Sequence, residues 1–201
     1  RLFGERFVWI IASTHDDEEA QLLVAYRRLK HAIPSLLCML APRHPERFDV
    51  VDGLCREQGF AVVRRGLGQA LSFETDIYLA DSLGELKLLY AAADVAFVGG
   101  SLVEVGGHNV LEPAAIGVPV LFGPQMFNFQ EIAERMLAMD AAIQCQSVDD
   151  IADAVLDLYQ YPEKRQRLVR HAQAFVKQNQ GAVSRIAELL STSLMDDSDS
   201  G

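Results

Sequence analysis

Half of the 201 residues are apolar, enough for one substantial core that removes roughly 70% of the unfolded surface from water. The formal charge of −10, from 18 basic and 28 acidic side chains, argues against a protein that coats nucleic acid, because neutralising phosphates draws on clustered Lys and Arg. It leaves room for a local anion site. No apolar run approaches the roughly 18 residues of a spanning helix, and the chain does not open on a basic stretch, an apolar core and a cleavage site, so a soluble chain is expected. Its start at Arg1, entering a strand-like run at once, suggests an excised domain or processed fragment. Cys38, Cys55 and Cys145 lie far apart without a CxxC, and are expected to be reduced and structural.

In chain order, short apolar runs of strand length fall at 7–13, 36–41, 61–64, 76–80, 95–99, 119–122 and 141–144. Amphipathic segments alternate with them. The first opens at Asp16, with Glu19 three residues on as in a capping box; Leu22, Tyr26, Leu29 and Ile33 then share one face before Pro34. A second helix is predicted over 45–58 with Gly59 as its stop, and a third over 84–93 carrying Leu86, Leu89 and Tyr90 inward. Residues 66–74 lack a period and read as a loop. Further helices are predicted over 109–116, stopped by Gly117, and from Asn128, carrying Ile132, Met136 and Leu137. Beyond Ser147 the pattern is helical: 148–159, a break at Pro162, then 162–190 with a possible interruption at Gly181. Residues 191–201, rich in Ser and Asp, read as a disordered tail.

Strands alternating with helices call for an α/β fold, a Rossmann-like parallel sheet with helices on both faces, and no repeat or linker divides it. In such sheets ligands sit beyond the carboxyl ends of the strands. The polar clusters fall on that edge: Ser13, Thr14 and His15 after the first strand, Arg43 and His44 after the second, then 81–85, 99–109 and 123–128.

The segment GGSLVEVGGHNVLEPAAIGVPVLFGP, residues 99–124, empties a strand into a Gly-rich loop that leads into a helix. Backbone N–H groups of Gly106, Gly107, His108 and Asn109 could converge there on a phosphate, and Glu112, about one turn into the helix, could receive two ribose hydroxyls. An ordinary turn, with Glu112 merely favouring the helix start, is the alternative. Arg43 could clamp a phosphate or carboxylate, or simply pair with Glu46. His15 could face the ligand or be a hydrogen-bonded loop residue, and His108 could donate to a phosphate if charged or organise the loop if not. Gly84 and Glu85 could meet a base or ribose; otherwise Asp81 or Ser82 caps the helix and Glu85 completes the cap. Asn109 suits either a nucleotide or a helix N-cap, and Asp94 reads as a turn former. Gly123, Pro124, Asn128 and Phe129 form a second loop-to-helix entry. His31 and His171 read as surface residues, and no spacing of His, Cys and carboxylates matches a zinc or EF-hand site.

The 99–124 segment with Asn128 and Phe129, together with ASTHDDEE (12–19), APRHPERF (41–48) and LGELKLLYAAADVAFVGG (83–100), resembles the signature of 3-deoxy-D-manno-octulosonic acid (Kdo) transferases. The motifs run in family order from about residue 7 to 190. Two positions depart from the pattern: Asp17 stands where Gly is usual and Val110 where Pro is common. The resemblance implies the C-terminal half of a GT-B glycosyltransferase, with residues 1–190 as the donor-binding domain and an N-terminal acceptor domain outside this chain. It implies transfer of Kdo from CMP-Kdo to lipid A precursor, with inversion, at the cytoplasmic face of the bacterial inner membrane, and membrane association only through the full-length protein. Arg43, Gly84, Glu85, Gly106, Gly107, His108, Asn109 and Glu112 are then expected at the nucleotide, and Ser13, Thr14, His15, His44 and Asn128 as further donor contacts. The catalytic base is expected in the N-terminal domain, so this half would bind without turnover, with no cofactor, tightly bound metal or nucleic acid. A UDP-sugar-dependent GT-B transferase or epimerase domain, and a non-catalytic nucleotide-binding or interaction module, are the alternatives.

Overall fold

The computed structural model describes residues 3–196, with side chains placed for 3–179. Seven strands, β1 (Val8–Thr14), β2 (Leu37–Pro42), β3 (Val62–Arg64), β4 (Ile77–Leu79), β5 (Val95–Val98), β6 (Val120–Phe122) and β7 (Ile143–Gln144), pair in parallel in the order β3-β4-β2-β1-β5-β6-β7. The intervening helices are α1 (Glu18–Ala32), α2 (Phe48–Glu57) behind a 3₁₀ turn Pro45–Arg47, α3 (Leu86–Ala92), α4 (Leu111–Ile116), α5 (Gln130–Ala138), α6 (Val148–Gln160) and α7 (Pro162–Asp196).

A parallel sheet covered on both faces needs strands that are apolar at every position, and β1 is buried along its whole length. Its odd residues Trp9 and Ile11 face one core, shared with Leu22, Tyr26 and Leu29 of α1 and Ile151 and Val155 of α6. Its even residues Val8, Ile10 and Ala12 face the other, shared with Leu89 and Tyr90 of α3. A third cluster joins Val98, Val120 and Phe122 to Ala114 of α4, Met136 of α5 and Phe175 of α7. Among the described residues no helix is long and apolar enough to cross a membrane.

Two expectations about helix ends are corrected. No side chain caps α1: Asp17 precedes it at φ 64°, and Glu18 and Glu19 turn inward and are buried. The anticipated capping box fails because both carboxylates find stronger donors in the tertiary structure than the exposed helix start offers. Helix α7 runs unbroken through Gly181 and continues to Asp196, so the first six residues of the anticipated tail are helical; residues 197–201 lie outside the described residues. One glycine in a long helix costs only about 1 kcal/mol, too little to stop propagation.

The chain entering β1 is fixed by a device absent from the sequence reading. The buried Arg6 guanidinium donates to four carbonyl oxygens, of Ser35 (3.0 Å), Leu36 (2.8 Å), Ser72 (3.1 Å) and Thr75 (2.6 Å). It thereby ties the α1–β2 and β3–β4 connections to the start of the sheet. Arg6→Met keeps the aliphatic stem but leaves those carbonyls without their donor; a loss of about 3 kcal/mol is expected in urea unfolding, against near zero for a surface Arg.

Candidate functional site

The strand order reverses between β1 and β5: from β1 the chain moves to β2 on one side, and β5 returns to the other. Such a switch point opens a crevice, because the two connections leave in opposite directions. Residues 15–17 follow β1 there and residues 99–110 follow β5.

The two connections are held together by Glu18. Its buried carboxylate accepts N–H groups from His15 (3.0 Å) and Gly100 (2.6 Å) at Oε2, and from Ser101 (3.0 Å) and Leu102 (2.9 Å) at Oε1. Four oriented dipoles thus solvate the charge without a cation. Ser101 extends the link, donating to the Val98 carbonyl at 2.6 Å and accepting the Gly123 N–H at 2.8 Å after β6. Sequence reasoning missed Glu18 altogether. In DDEE it reads as one more solvated charge at a helix start, and no spacing marks the four N–H groups that meet it.

Behind this contact, Glu19 accepts Thr14 Oγ1 at 2.9 Å and Arg47 at 3.0 Å, and Arg47 also reaches Asp16 at 2.8 Å. Burial pushes the Glu19 carboxyl up, against the pull of its Arg47 and Thr14 hydrogen bonds. Thr14 is fully buried and committed to Glu19, and Ser13 beside it is also buried.

The glycine loop is packed tightly. Gly106 and Gly107 have φ of 98° and 77°, and a Cβ on them would lie 2.4 Å from Asn128 Nδ2 and 2.3 Å from Met126 Sδ. Only glycine fits such a backbone against that neighbour. Asn128 holds the loop through its N–H to the Gly106 carbonyl (3.1 Å) and its amide nitrogen to the Val105 carbonyl (2.8 Å), while its exposed Oδ1 has no hydrogen bond among the described residues. The expected convergence of four N–H groups is reduced, because the Gly107 N–H is bonded to the Gly100 carbonyl at 2.7 Å. Those of His108 and Asn109 have no hydrogen bond among the described residues. Asn109 Oδ1 accepts the Leu111 N–H at 3.0 Å from one residue ahead of the N-cap Val110, while the exposed side chain keeps its amide nitrogen available. Helix α4 has six residues, too few for its dipole to carry the site.

At the mouth of the crevice three histidines meet. His15 Nε2 and His108 Nε2 are 2.7 Å apart in near-parallel rings whose centroids lie 5.0 Å apart at 8°, and His44 lies edge-on to His15 at 5.2 Å. Burial first, then the charges of His15, Arg43 and His44, lowers His108 to about 4. His15 is lowered too, by burial first, with Glu18 opposing and His44, Arg43 and Arg47 adding to the depression. Arg43 is exposed, anchored by its N–H to the Thr14 carbonyl at 3.0 Å, and its guanidinium has no ion pair or hydrogen bond among the described residues. The anticipated pairing of Arg43 with Glu46 is absent; the imidazole of His44 lies 3.9 Å from that carboxylate, beyond hydrogen-bond reach. Glu112, half-buried, likewise has no hydrogen bond or ion pair among the described residues.

Glu85 is corrected. Its carboxylate is bound by Arg65, with Nε at 2.6 Å, and by Ser82 Oγ, and these hydrogen bonds hold it down at about 2. Its carboxylate is thus committed to Arg65 and Ser82, and although Glu85 occupies the N-cap position of α3, no side chain caps that helix. The adjacent Gly84 is exposed at φ 80°. Asp81 is drawn to Arg64 at 2.7 Å and to the Gly66 N–H at 2.5 Å, so this corner is a closed ion-pair network. Within the described residues no group of three or more His, Cys, Asp or Glu is arranged to hold a metal ion.

Glu18→Gln turns an NH2 group toward backbone N–H groups that need an acceptor, and a loss of roughly 2–4 kcal/mol is expected in urea unfolding, with the 99–105 amides losing hydrogen-exchange protection. The histidines set a pH dependence. Because folding lowers their pKa below the unfolded 6.5, the unfolded chain binds more protons, and stability must fall as pH drops from about 6.5 toward 4. The melting temperature of His108→Asn should fall less steeply than wild type over that window.

Residues 64–175 match the family model described as Glycosyl transferases group 1. Two curated relatives named 3-deoxy-D-manno-octulosonic acid transferase, from Haemophilus influenzae and Bordetella pertussis, are 41% and 38% identical over 187 and 189 residues. Each alignment covers 92% of this chain and 44% of the relative, so the chain spans less than half the length of the curated relatives it matches. The crystal structure of the C-terminal CMP-Kdo binding domain of WaaA from Acinetobacter baumannii superimposes with a TM-score of 0.83 at 42% identity, over 87% of this chain and 91% of that one. Together with the parallel sheet and its glycine loop, these matches show that the chain belongs to the 3-deoxy-D-manno-octulosonic acid transferases among the group 1 glycosyl transferases, and corresponds to their C-terminal domain.

Proposed function

We propose that this chain is the donor-binding half of a transferase that moves Kdo from CMP-Kdo to a lipid A precursor with inversion. The observation that carries the reading is selective vacancy at one edge of the sheet. Glu18, Glu19 and Glu85 are fully engaged, whereas Arg43 and Glu112, of opposite charge, have no partner among the described residues. A nucleoside monophosphate supplies the complement of both: phosphate for Arg43 and for the N–H groups of His108 and Asn109, and a ribose diol for Glu112.

Bond breaking leaves added negative charge on the departing CMP, and groups aimed at that charge before the reaction stabilise it most. Arg43 and the His108–Asn109 backbone take this role. The base that activates the acceptor hydroxyl, contact with lipid A precursor and attachment to the cytoplasmic face of the inner membrane fall to the N-terminal part of the full-length protein. CMP-Kdo is consumed as a substrate, and the reading assigns this half no cofactor. Alone, the chain binds donor without turnover.

Calorimetric titration with CMP, UMP and UDP tests this. CMP should bind best, and Glu112→Ala and Arg43→Ala should each weaken it about 10- to 100-fold, the loss of one or two charge-assisted hydrogen bonds, with little change in melting temperature. A preference for UDP, or variants that chiefly unfold, would overturn the assignment.

A further inference from the structure

Two imidazoles with Nε2 atoms 2.7 Å apart are in hydrogen-bond contact only when one of those nitrogens carries a proton and the other does not. Two neutral rings satisfy this with complementary tautomers, and a singly protonated pair satisfies it as well. A doubly protonated pair cannot. The contact therefore has room for one proton beyond the neutral state, and the two rings titrate as a unit.

The surroundings decide when that proton arrives. From α1, Glu18 faces His15, but its charge is already solvated by four backbone N–H groups. From the β2–α2 connection come Arg43, His44 and Arg47 toward His15, and Arg43 and His44 toward His108. Around His108 burial and the neighbouring Arg43 both disfavour a proton, while at His15 burial outweighs the opposing pull of Glu18, so the half-buried pair is poised to gain its proton when an anion enters.

We infer that His15 and His108 act together as a one-proton acceptor for the donor site: seating a phosphate beside them draws a single proton from solvent onto the pair, which then donates to a phosphate oxygen. The inference rests on the donor-binding reading and deepens it. It makes the two rings positioning groups whose charge follows ligand occupancy, a role fixed charges such as Arg43 cannot play. The contact joins the β1 and β5 connections, so protonation acts where the strand order reverses and both loops meet the ligand.

Calorimetry of CMP binding near pH 6, in two buffers of different ionisation heat, counts the protons taken up. Wild type should take up a substantial fraction of one proton more than His108→Gln, a comparison in which ionisation of CMP itself cancels. Gln keeps a hydrogen-bonding edge at the same reach but does not titrate. His15→Gln and the double variant should match His108→Gln, since the pair holds one proton rather than two. An anion a few ångströms away raises a pKa by about 1–3 units. CMP affinity should therefore rise about tenfold between pH 7 and pH 5 beyond the rise in the variants, through the pKa of the complex and levelling below that of the free pair. Circular dichroism melts of each variant establish that it is folded. Equal proton uptake in wild type and His108→Gln, with CMP bound by both, would overturn the inference and leave the donor site standing. Absence of CMP binding by folded wild type at every pH would overturn both.

Discussion

The carboxylate of Glu18 is the contact on which the site depends. A buried charge without a cation is among the costliest features a fold can carry, unless dipoles replace the water it has lost. Here the dipoles are the N–H groups of three consecutive residues after β5 and of His15 after β1, so the same atoms that solvate Glu18 fix the path of both connections at the switch point. Ser101 carries the constraint to β6, and Asn128 closes the glycine loop from the far side. The loop is thus held by the protein's own hydrogen bonds, and donors positioned in advance are the condition for electrostatic stabilisation of a departing group.

Two levels of polar chemistry can be separated around that loop. Arg6, Glu18, Glu19 and Asp81 are committed to the protein itself, through carbonyls, N–H groups and opposite charges. Arg43, Glu112, the Asn109 amide nitrogen and two backbone N–H groups remain available at the edge where ligands of parallel sheets bind. Thr14 and Glu85 are likewise engaged with the protein itself, through Glu19 and through Arg65 and Ser82.

The departures from the family pattern also acquire a physical reason. Asp17, standing where Gly is usual, adopts φ 64°, the left-handed region that glycine enters freely and that Asp tolerates better than most residues. Val110, standing where Pro is common, has φ −80° and ψ −14° and an N–H without a partner among the described residues. A proline ring holds nearly that φ and lacks that N–H, so either residue suits the position.

Strand order along the chain, helix positions and the stops at Gly59 and Gly117 were legible in the sequence, because each is written in local periodicity and turn chemistry over a few residues. The ordered motifs carried the family as well. What only the tertiary structure decided are pairings between residues far apart in the chain: Glu18 with N–H groups 82 to 84 positions away, His15 with His108 at 93, and Arg6 with carbonyls up to 69 away. The two adjacent glutamates show why. Glu18 and Glu19 are the same residue type in one acidic run, and no local rule distinguishes the one that meets Arg47 from the one that meets only backbone N–H groups, since the partners are brought there by the order of strands in the sheet.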